Sequence, residues 1–347
     1  MRALTIDAHG GLERLRYRED VAMPELSAPG DVRVRLRAVA LNRLDLWTIG
    51  GLPGITITPP WVLGADGTGV IDAVGPDVRD VKVGDRVVIN PGVACRDCEW
   101  CRRGEQPLCP RFGLLGEHFP GTFGEFVVVP AANVRCIPTS VPDEVAAAYT
   151  LAALTAWRMC VSRVAVQPGE DVLIWGIGGG VAQAALRICK MRGARVWVTS
   201  SSPDKLARAE ALGADVLINH ATEDVARVVR DRTNRRGVDV VVETVGEKTW
   251  TSSLMSLARG GRLVTCGGTS GPALTMDVRR LFWYQWSILG STMGSDDEFD
   301  AVTAELAAGR LWPTVDAVYP LSQGAEAFAR MEANAQFGKL VLRVSDD

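Results

Sequence analysis

Hydrophobic and polar positions change their period once along the chain. Up to about residue 140, short runs alternate between the two classes, as in Asp31–Arg37 (DVRVRLR) and Val81–Ile89 (VKVGDRVVI), with Gly and Pro between them. Side chains two apart share one face of an extended strand, so these runs predict half-buried strands and a β-rich domain. Met1–Asp7 alternates in the same way. From Asp171 onward, unbroken apolar runs take over, separated by stretches rich in Ala, Leu and Arg: Val172–Trp175, then Ala182–Arg192, Val196–Thr199, then Pro203–Leu212. A strand covered on both faces reads as a continuous apolar run. The order strand, helix, strand implies parallel pairing through right-handed crossovers. Val238–Glu243 and Arg262–Cys266 extend this sheet, Ser287–Met293 is its candidate closing strand, and Lys339–Arg343 returns to a strand in the tail. The class expected is therefore α/β, a β-rich domain joined to a doubly wound parallel sheet. No internal repeat interrupts it.

Composition narrows the function classes. With 347 residues, 47% of them hydrophobic, the chain has material for two cores. A net charge of −3 and the lack of a long basic stretch argue against nucleic acid as a partner. No apolar run approaches the roughly 18 residues that span a bilayer, and the start of the chain lacks the apolar core of a secretory leader, so a cytoplasmic protein without membrane contact is expected. Cys136, Cys160, Cys189 and Cys266 lie apart in apolar surroundings and are expected to be buried free thiols.

The other four cysteines, Cys95, Cys98, Cys101 and Cys109, form a C-x2-C-x2-C-x7-C cluster. Four thiolates at about 2.3 Å close a tetrahedral zinc shell and leave no open position for a substrate. The metal expected is one structural Zn²⁺, organising a lobe at about residues 91–112 whose polar and basic side chains would not bury a core alone. Disulfides and an iron–sulfur cluster are the competing readings. The first needs an oxidising compartment, and the spacing fits neither common ferredoxin pattern.

A second signal lies where the parallel sheet begins. Val172–Trp175 runs into Gly176, Ile177, Gly178, Gly179, Gly180 and Val181, and then into a helix. Glycines let the backbone approach a pyrophosphate, whose charge is met by free N–H groups at the positive helix end. The spacing is one residue longer than G-x-G-x-x-G, and the rival reading is a tight turn that needs glycine only for positive φ. At the next strand tip an Asp or Glu would bind the ribose hydroxyls of NAD. Here the tip reads Thr199, Ser200, Ser201, Ser202, Pro203, Asp204, Lys205. That sequence points to NADP(H), with Ser200, Ser201 and Lys205 on the 2′-phosphate. The alternative is that the serines only cap the following helix.

Taken together, these motifs resemble the medium-chain dehydrogenases/reductases, the family of zinc alcohol dehydrogenases and quinone reductases. The matching segments are Leu63–Val70 with Val74 and Gly75, Val83–Val87, the cysteine lobe, Gly121–Phe126, the glycine turn, Leu212–Asp215, Gly260–Arg262, and Gly338 with Lys339. The resemblance implies a GroES-like catalytic domain from residues 1–142 and 295–347, with a Rossmann domain at 143–294 between them. It also implies a small-molecule substrate meeting the nicotinamide in a cleft, a homodimer or homotetramer with Ser287–Met293 as the pairing edge, and Gly267 and Thr292 as further cofactor contacts.

The departures from that family bear on the chemistry. Where its zinc alcohol dehydrogenases carry a Cys with an Asp three residues on, a His–Glu pair and a second Cys, this chain has Asn42 with Asp45, Ala65 with Asp66, and Leu151. Three donor positions are lost, and a catalytic zinc needs three protein ligands. Asn42 to Asp45 is similar to the Asn-x-x-Asp of quinone and enone reductases, which implies NADPH-dependent hydride transfer to a quinone or an α,β-unsaturated carbonyl. Asn42 would donate a hydrogen bond to the developing enolate, or merely fix its loop. Asp45 would brace that loop, Asp66 would be a structural acid or a weak acid/base, and His118 a proton donor or a surface residue. The alternatives are a zinc-type alcohol or aldehyde dehydrogenase and a non-catalytic NADPH-binding protein. The aromatic run Phe282–Trp286 suits a flat substrate, a core or an interface between subunits.

Overall fold

The computed structural model describes residues Met1–Ser345. The first 140 residues carry strands β1 (Ala3–Ile6), β2 (Arg16–Arg18), β3 (Asp31–Ala40), β4 (Trp61–Val62), β5 (Asp66–Val74), β6 (Arg86–Ile89), β7 (Gly92–Val93), β8 (Gly113–Leu114), β9 (Phe126–Pro130) and β10 (Val134–Cys136). The middle of the chain carries β11 (Asp171–Ile174), β12 (Arg195–Ser200), β13 (Val216–Asn219), β14 (Val238–Glu243), β15 (Leu257–Thr265) and β16 (Ser287–Gly290). The tail adds β17 (Val315–Pro320) and β18 (Lys339–Arg343). Two compact units result, one from Met1–Leu154 plus the segment starting at Gly294, the other from Thr155–Met293. The helix Asp143–Ala147 packs on β3 and β5, which is why the break falls at Leu154 and not before it. None of the helices among the described residues is long and apolar enough to cross a membrane.

The first unit has the GroES-like β-rich architecture. Its main sheet runs β10-β6-β5-β3-β18-β17, with β9 also paired to β3. The inward residues of β3 (Val32, Val34, Leu36) meet Ile71, Val87, Ile89, Phe123, Phe328 and Leu342 in one core. Gly64, at φ +97°, gives Phe123 its place there, because a Cβ would lie 2.2 Å from the ring. Register then decides which polar groups meet. Ala40, at the end of β3, pairs with Asp66 on one side and Val341 on the other. The chain just past β3, the start of β5 and the start of β18 therefore lie together.

The second unit is a Rossmann sheet of six parallel strands in the order β13-β12-β11-β14-β15-β16. The strand order reverses between β11 and β14, so the crevice for a ligand opens at the carboxyl end of β11. Leu173, Trp197, Val241 and Leu263 fill the interior on strands that are apolar on both faces, matching the continuous runs in the sequence.

Three expectations need correction. The alternating run Val81–Ile89 becomes a strand only at Arg86, because Gly84 takes φ +93° and the Asp85 carboxylate accepts the Lys82 N–H, which makes a turn. Cys136 is an exposed thiol at the end of β10, the edge of its sheet, and Cys266 is half-buried just past β15, whereas Cys160 and Cys189 are buried. The closing strand stops at Gly290, and Met293 turns away at φ +47°. The aromatic run also divides: Trp286 is buried with its indole N–H on the Ala258 carbonyl, while Phe282 and Trp283 are exposed.

Candidate functional site

The cysteine lobe is built as a closed metal centre. The four Sγ atoms all lie within 4.8 Å of one another. Cys98 and Cys101 are 3.5 Å apart and Cys95 and Cys101 3.9 Å, around the ~3.8 Å edge of a tetrahedron with 2.3 Å zinc–sulfur bonds. Backbone N–H groups of Cys95 and Arg111 donate to Cys109 Sγ, as suits a sulfur carrying negative charge. The residues thus fit a structural zinc ion. Arg96, held at φ +65°, fastens the lobe to the unit by an ion pair with Asp296 and a hydrogen bond to Asn133. Among the described residues, no other group of three His, Cys, Asp or Glu side chains is close enough to share an ion.

The cofactor candidates gather beyond the carboxyl ends of the parallel strands. Gly176 takes φ +66°, and its N–H donates to Thr199 Oγ1 while the Ile177 N–H donates to the Thr199 carbonyl. Gly179 is the residue before the helix Gly180–Met191, whose first N–H groups, including that of Val181, have no helical partner. A Cβ on Gly179 would meet nothing nearer than the Gly176 carbonyl at 3.7 Å, so the protein's own packing does not demand a glycine. The space suits a pyrophosphate approaching the backbone, and Gly178 lies in the same turn. At the tip of β12, Ser200 is buried and its Oγ accepts the Ser202 N–H, leaving its own O–H to donate. Ser201 is exposed and Lys205 half-buried on the helix that Ser202 caps. Gly267 follows β15 and Thr292 follows β16, on the same side of the sheet.

Two residues that sequence reasoning passed over support this edge. Thr199 secures the glycine turn, and Glu243, fully buried at the tip of β14, accepts hydrogen bonds from Val245 N, Gly246 N, Thr249 Oγ1 and Ser253 Oγ. A buried carboxylate with four donors holds its loop rigidly. Its place at the end of an apolar run was the signal available.

In the first unit, Asn42, Asp45 and Asp66 come together and His118 does not join them. Asp66 is fully buried. Its Oδ1 accepts Thr150 Oγ1 at 2.5 Å and Leu151 N at 2.7 Å; its Oδ2 accepts Asn42 Nδ2 and Lys339 Nζ, both at 2.9 Å. The Lys339 ammonium also donates to Asn42 Oδ1 at 2.6 Å. Asp45 accepts the Asn42 backbone N–H at 2.7 Å, holding the start of the helix Arg43–Gly50. Burial pushes the Asp45 carboxyl up from 3.8 to about 7; the Asp66 charge adds to the rise, and the Asn42 N–H and Lys339 oppose it. Lys339 was visible only as part of a terminal Gly–Lys pair, because its partners lie some three hundred residues away. His118 lies in the loop beyond β8, where its Nδ1 accepts the Leu114 N–H at 3.2 Å and Glu117 stands 4.0 Å away.

With this geometry in place, the comparisons with known proteins agree. Residues 28–140 match the alcohol dehydrogenase GroES-like domain, and residues 180–308 match the zinc-binding dehydrogenase family. A zinc-type alcohol dehydrogenase-like protein of Schizosaccharomyces pombe is 34% identical over 99% of both chains. A quinone oxidoreductase of Pseudomonas aeruginosa is 30% identical over 96% of this chain and 97% of its own. The crystal structure of an NAD-dependent alcohol dehydrogenase superposes with a TM-score of 0.94 at 45% identity, covering 99% of this chain and all of that one. The chain belongs to the medium-chain, zinc-type dehydrogenase/reductase superfamily and is an oxidoreductase. Its family uses a nicotinamide cofactor and acts on small molecules.

Proposed function

We propose that the protein is an NADP(H)-dependent reductase of quinones or α,β-unsaturated carbonyl compounds that works without a catalytic zinc, its single zinc being structural. One observation carries this reading: the Asp66 carboxylate spends its lone pairs on Thr150, Leu151, Asn42 and Lys339, and the neighbouring Asn42, Ala65 and Leu151 bring no thiolate or imidazole. A divalent ion there would find no set of three free ligands. Without a Lewis acid an alcohol keeps its high pKa, whereas an acceptor that is already electrophilic needs mainly binding and orientation.

NADPH, when bound, supplies a hydride. The chain's own part is to hold the acceptor and stabilise the charge that develops on its carbonyl oxygen. Asn42 serves as the donor: one Nδ2 hydrogen is committed to Asp66, and the other makes only a long, 3.4 Å bond to the Ala40 carbonyl, the bond that a substrate oxygen would replace. The oxygen of an enone would accept that hydrogen bond while hydride reaches the β-carbon and a proton from water reaches the α-carbon. In the quinone case the same donor would face the developing phenolate. Asp45 and Asp66 serve this site by bracing it. At the strand tip of β12 the absence of an acid and the presence of Ser200, Ser201 and Lys205 favour the 2′-phosphate.

We also assign a homodimer or homotetramer that uses the outer edge of β16, with Phe282 and Trp283 exposed on the helix Val278–Tyr284 just before it. A cytoplasmic location fits eight free cysteines.

The test is a steady-state assay of NADPH oxidation with a benzoquinone, a cyclic enone and an enoyl thioester. Turnover with at least one of them, at one zinc per chain, is the expected result. Alcohol oxidation with NAD⁺ that requires a second metal per chain would replace this reading with the dehydrogenase one, which the 45% identical alcohol dehydrogenase structure favours.

A further inference from the structure

The side-chain oxygen and nitrogen of an asparagine have nearly the same shape, so only their partners decide which way the amide faces. Three groups meet the Asn42 side chain, Lys339, Asp66 and, at 3.4 Å, the Ala40 carbonyl, and the first two leave no choice. The Lys339 ammonium can only donate, and it lies 2.6 Å from Oδ1. The ionised Asp66 carboxylate can only accept, and it lies 2.9 Å from Nδ2. Reversing the amide would set NH2 against NH3⁺ and a carbonyl against a carboxylate. Lys339 and Asp66 also pair with each other at 2.9 Å, and neither is exposed beyond a few per cent, so water does not compete. The two come from β18 and β5, strands that flank β3 on opposite sides and whose register is fixed at Ala40.

We propose that Lys339 and Asp66 are positioning residues that lock the Asn42 amide with its nitrogen available to the acceptor, an inference that rests on the reading of Asn42 as hydrogen-bond donor. Neither needs to touch substrate. The ammonium claims the amide oxygen, the carboxylate claims one amide hydrogen, and the remaining hydrogen keeps only the 3.4 Å bond to the Ala40 carbonyl, which a substrate oxygen would replace. In a site lacking a metal, this pair supplies the rigidity that a coordination shell would otherwise give to the reacting end of the substrate.

The experiment uses the intact protein with NADPH and whichever acceptor it reduces. Lys339→Met alone strands a buried carboxylate and risks unfolding. The decisive variant is therefore Lys339→Met combined with Asp66→Asn, which removes both charges and keeps the volumes, with circular dichroism to verify the fold. The expected result is a fall in kcat of about tenfold or more, with the KM for NADPH unchanged, because the amide is then free to turn. In an Asn42→Ala background the same pair of changes is expected to lower kcat no further, since its effect passes through Asn42. Wild-type kcat in the folded double variant, or a full additional drop in the Asn42→Ala background, would overturn the positioning role. If Asn42→Ala alone keeps wild-type turnover, the donor itself is lost and the reading under which Lys339 and Asp66 act falls with it. The single variant therefore separates failure of the donor from failure of its positioning.

Discussion

Asp45 offers a perturbation whose size follows from the structure. It sits in the first turn of the helix Arg43–Gly50 with 1% of its surface exposed, and its carboxylate accepts the Asn42 N–H. One ammonium, Lys339, serves two buried carboxylates, and Asp66 has the direct contact at 2.9 Å. Asp45 is left to meet burial with a proton, and its pKa rises from 3.8 to about 7, burial being the largest cause and the Asp66 charge a smaller one. The sign follows from proton counting. Between the two values the native chain holds a proton that the unfolded chain has released, so stability is greatest below the unfolded pKa and falls as pH rises through the folded one. At ~1.4 kcal/mol per unit over about three units, the loss is on the order of 4 kcal/mol, complete above about pH 7. Asp45→Asn keeps an oxygen for the Asn42 N–H and removes the titration. Urea unfolding of both proteins from pH 4 to pH 9 should show the variant gaining on the wild type by this amount, with most of the gain between pH 4 and pH 7. Parallel stability curves across that range would refute the assignment of a proton to Asp45.

Other outcomes follow from the remaining features. Atomic absorption on chelator-washed protein should find one zinc per chain, and Cys101→Ser should lose it together with a substantial part of the thermal stability, since metal binding folds the lobe; retention of zinc by that variant would exclude the four-thiolate site. Lys205→Ala should raise the KM for NADPH about tenfold or more, the worth of a charge-assisted hydrogen bond, while leaving that for NADH alone. Equal effects on the two cofactors would mean that Lys205 does not read the 2′-phosphate. Replacing the exposed Phe282 and Trp283 by Ser should shift sedimentation toward the monomer with little effect on folding, because neither side chain fills the core. An unchanged sedimentation coefficient would place the subunit contact elsewhere.

Much of this protein is determined locally and is therefore legible in one dimension. The apolar runs ending at Ile174, Ser200 and Glu243 specify buried parallel strands because both of their faces are covered, and the glycine turn at Gly176 follows from a positive φ that other residues resist. The cysteine spacing sets out the zinc ligands because three short loops bring the thiols together without help from the rest of the chain. The run Val81–Ile89 misleads for a related reason: alternation alone cannot tell a strand from a turn in which Gly84 and Asp85 reverse the chain.

What only the tertiary structure decided is how polar groups far apart in sequence are satisfied. Asn42, Asp66, Thr150 and Lys339 come from four separate segments, and the register of β5, β3 and β18 makes them one hydrogen-bonded group. No local pattern announces that Lys339 pairs with Asp66, that burial pushes the Asp45 carboxyl up, or that Glu243 has four donors. Burial of a charge is costly unless a partner is present, and a partner brought in by the register of distant strands appears only when the sheet is assembled.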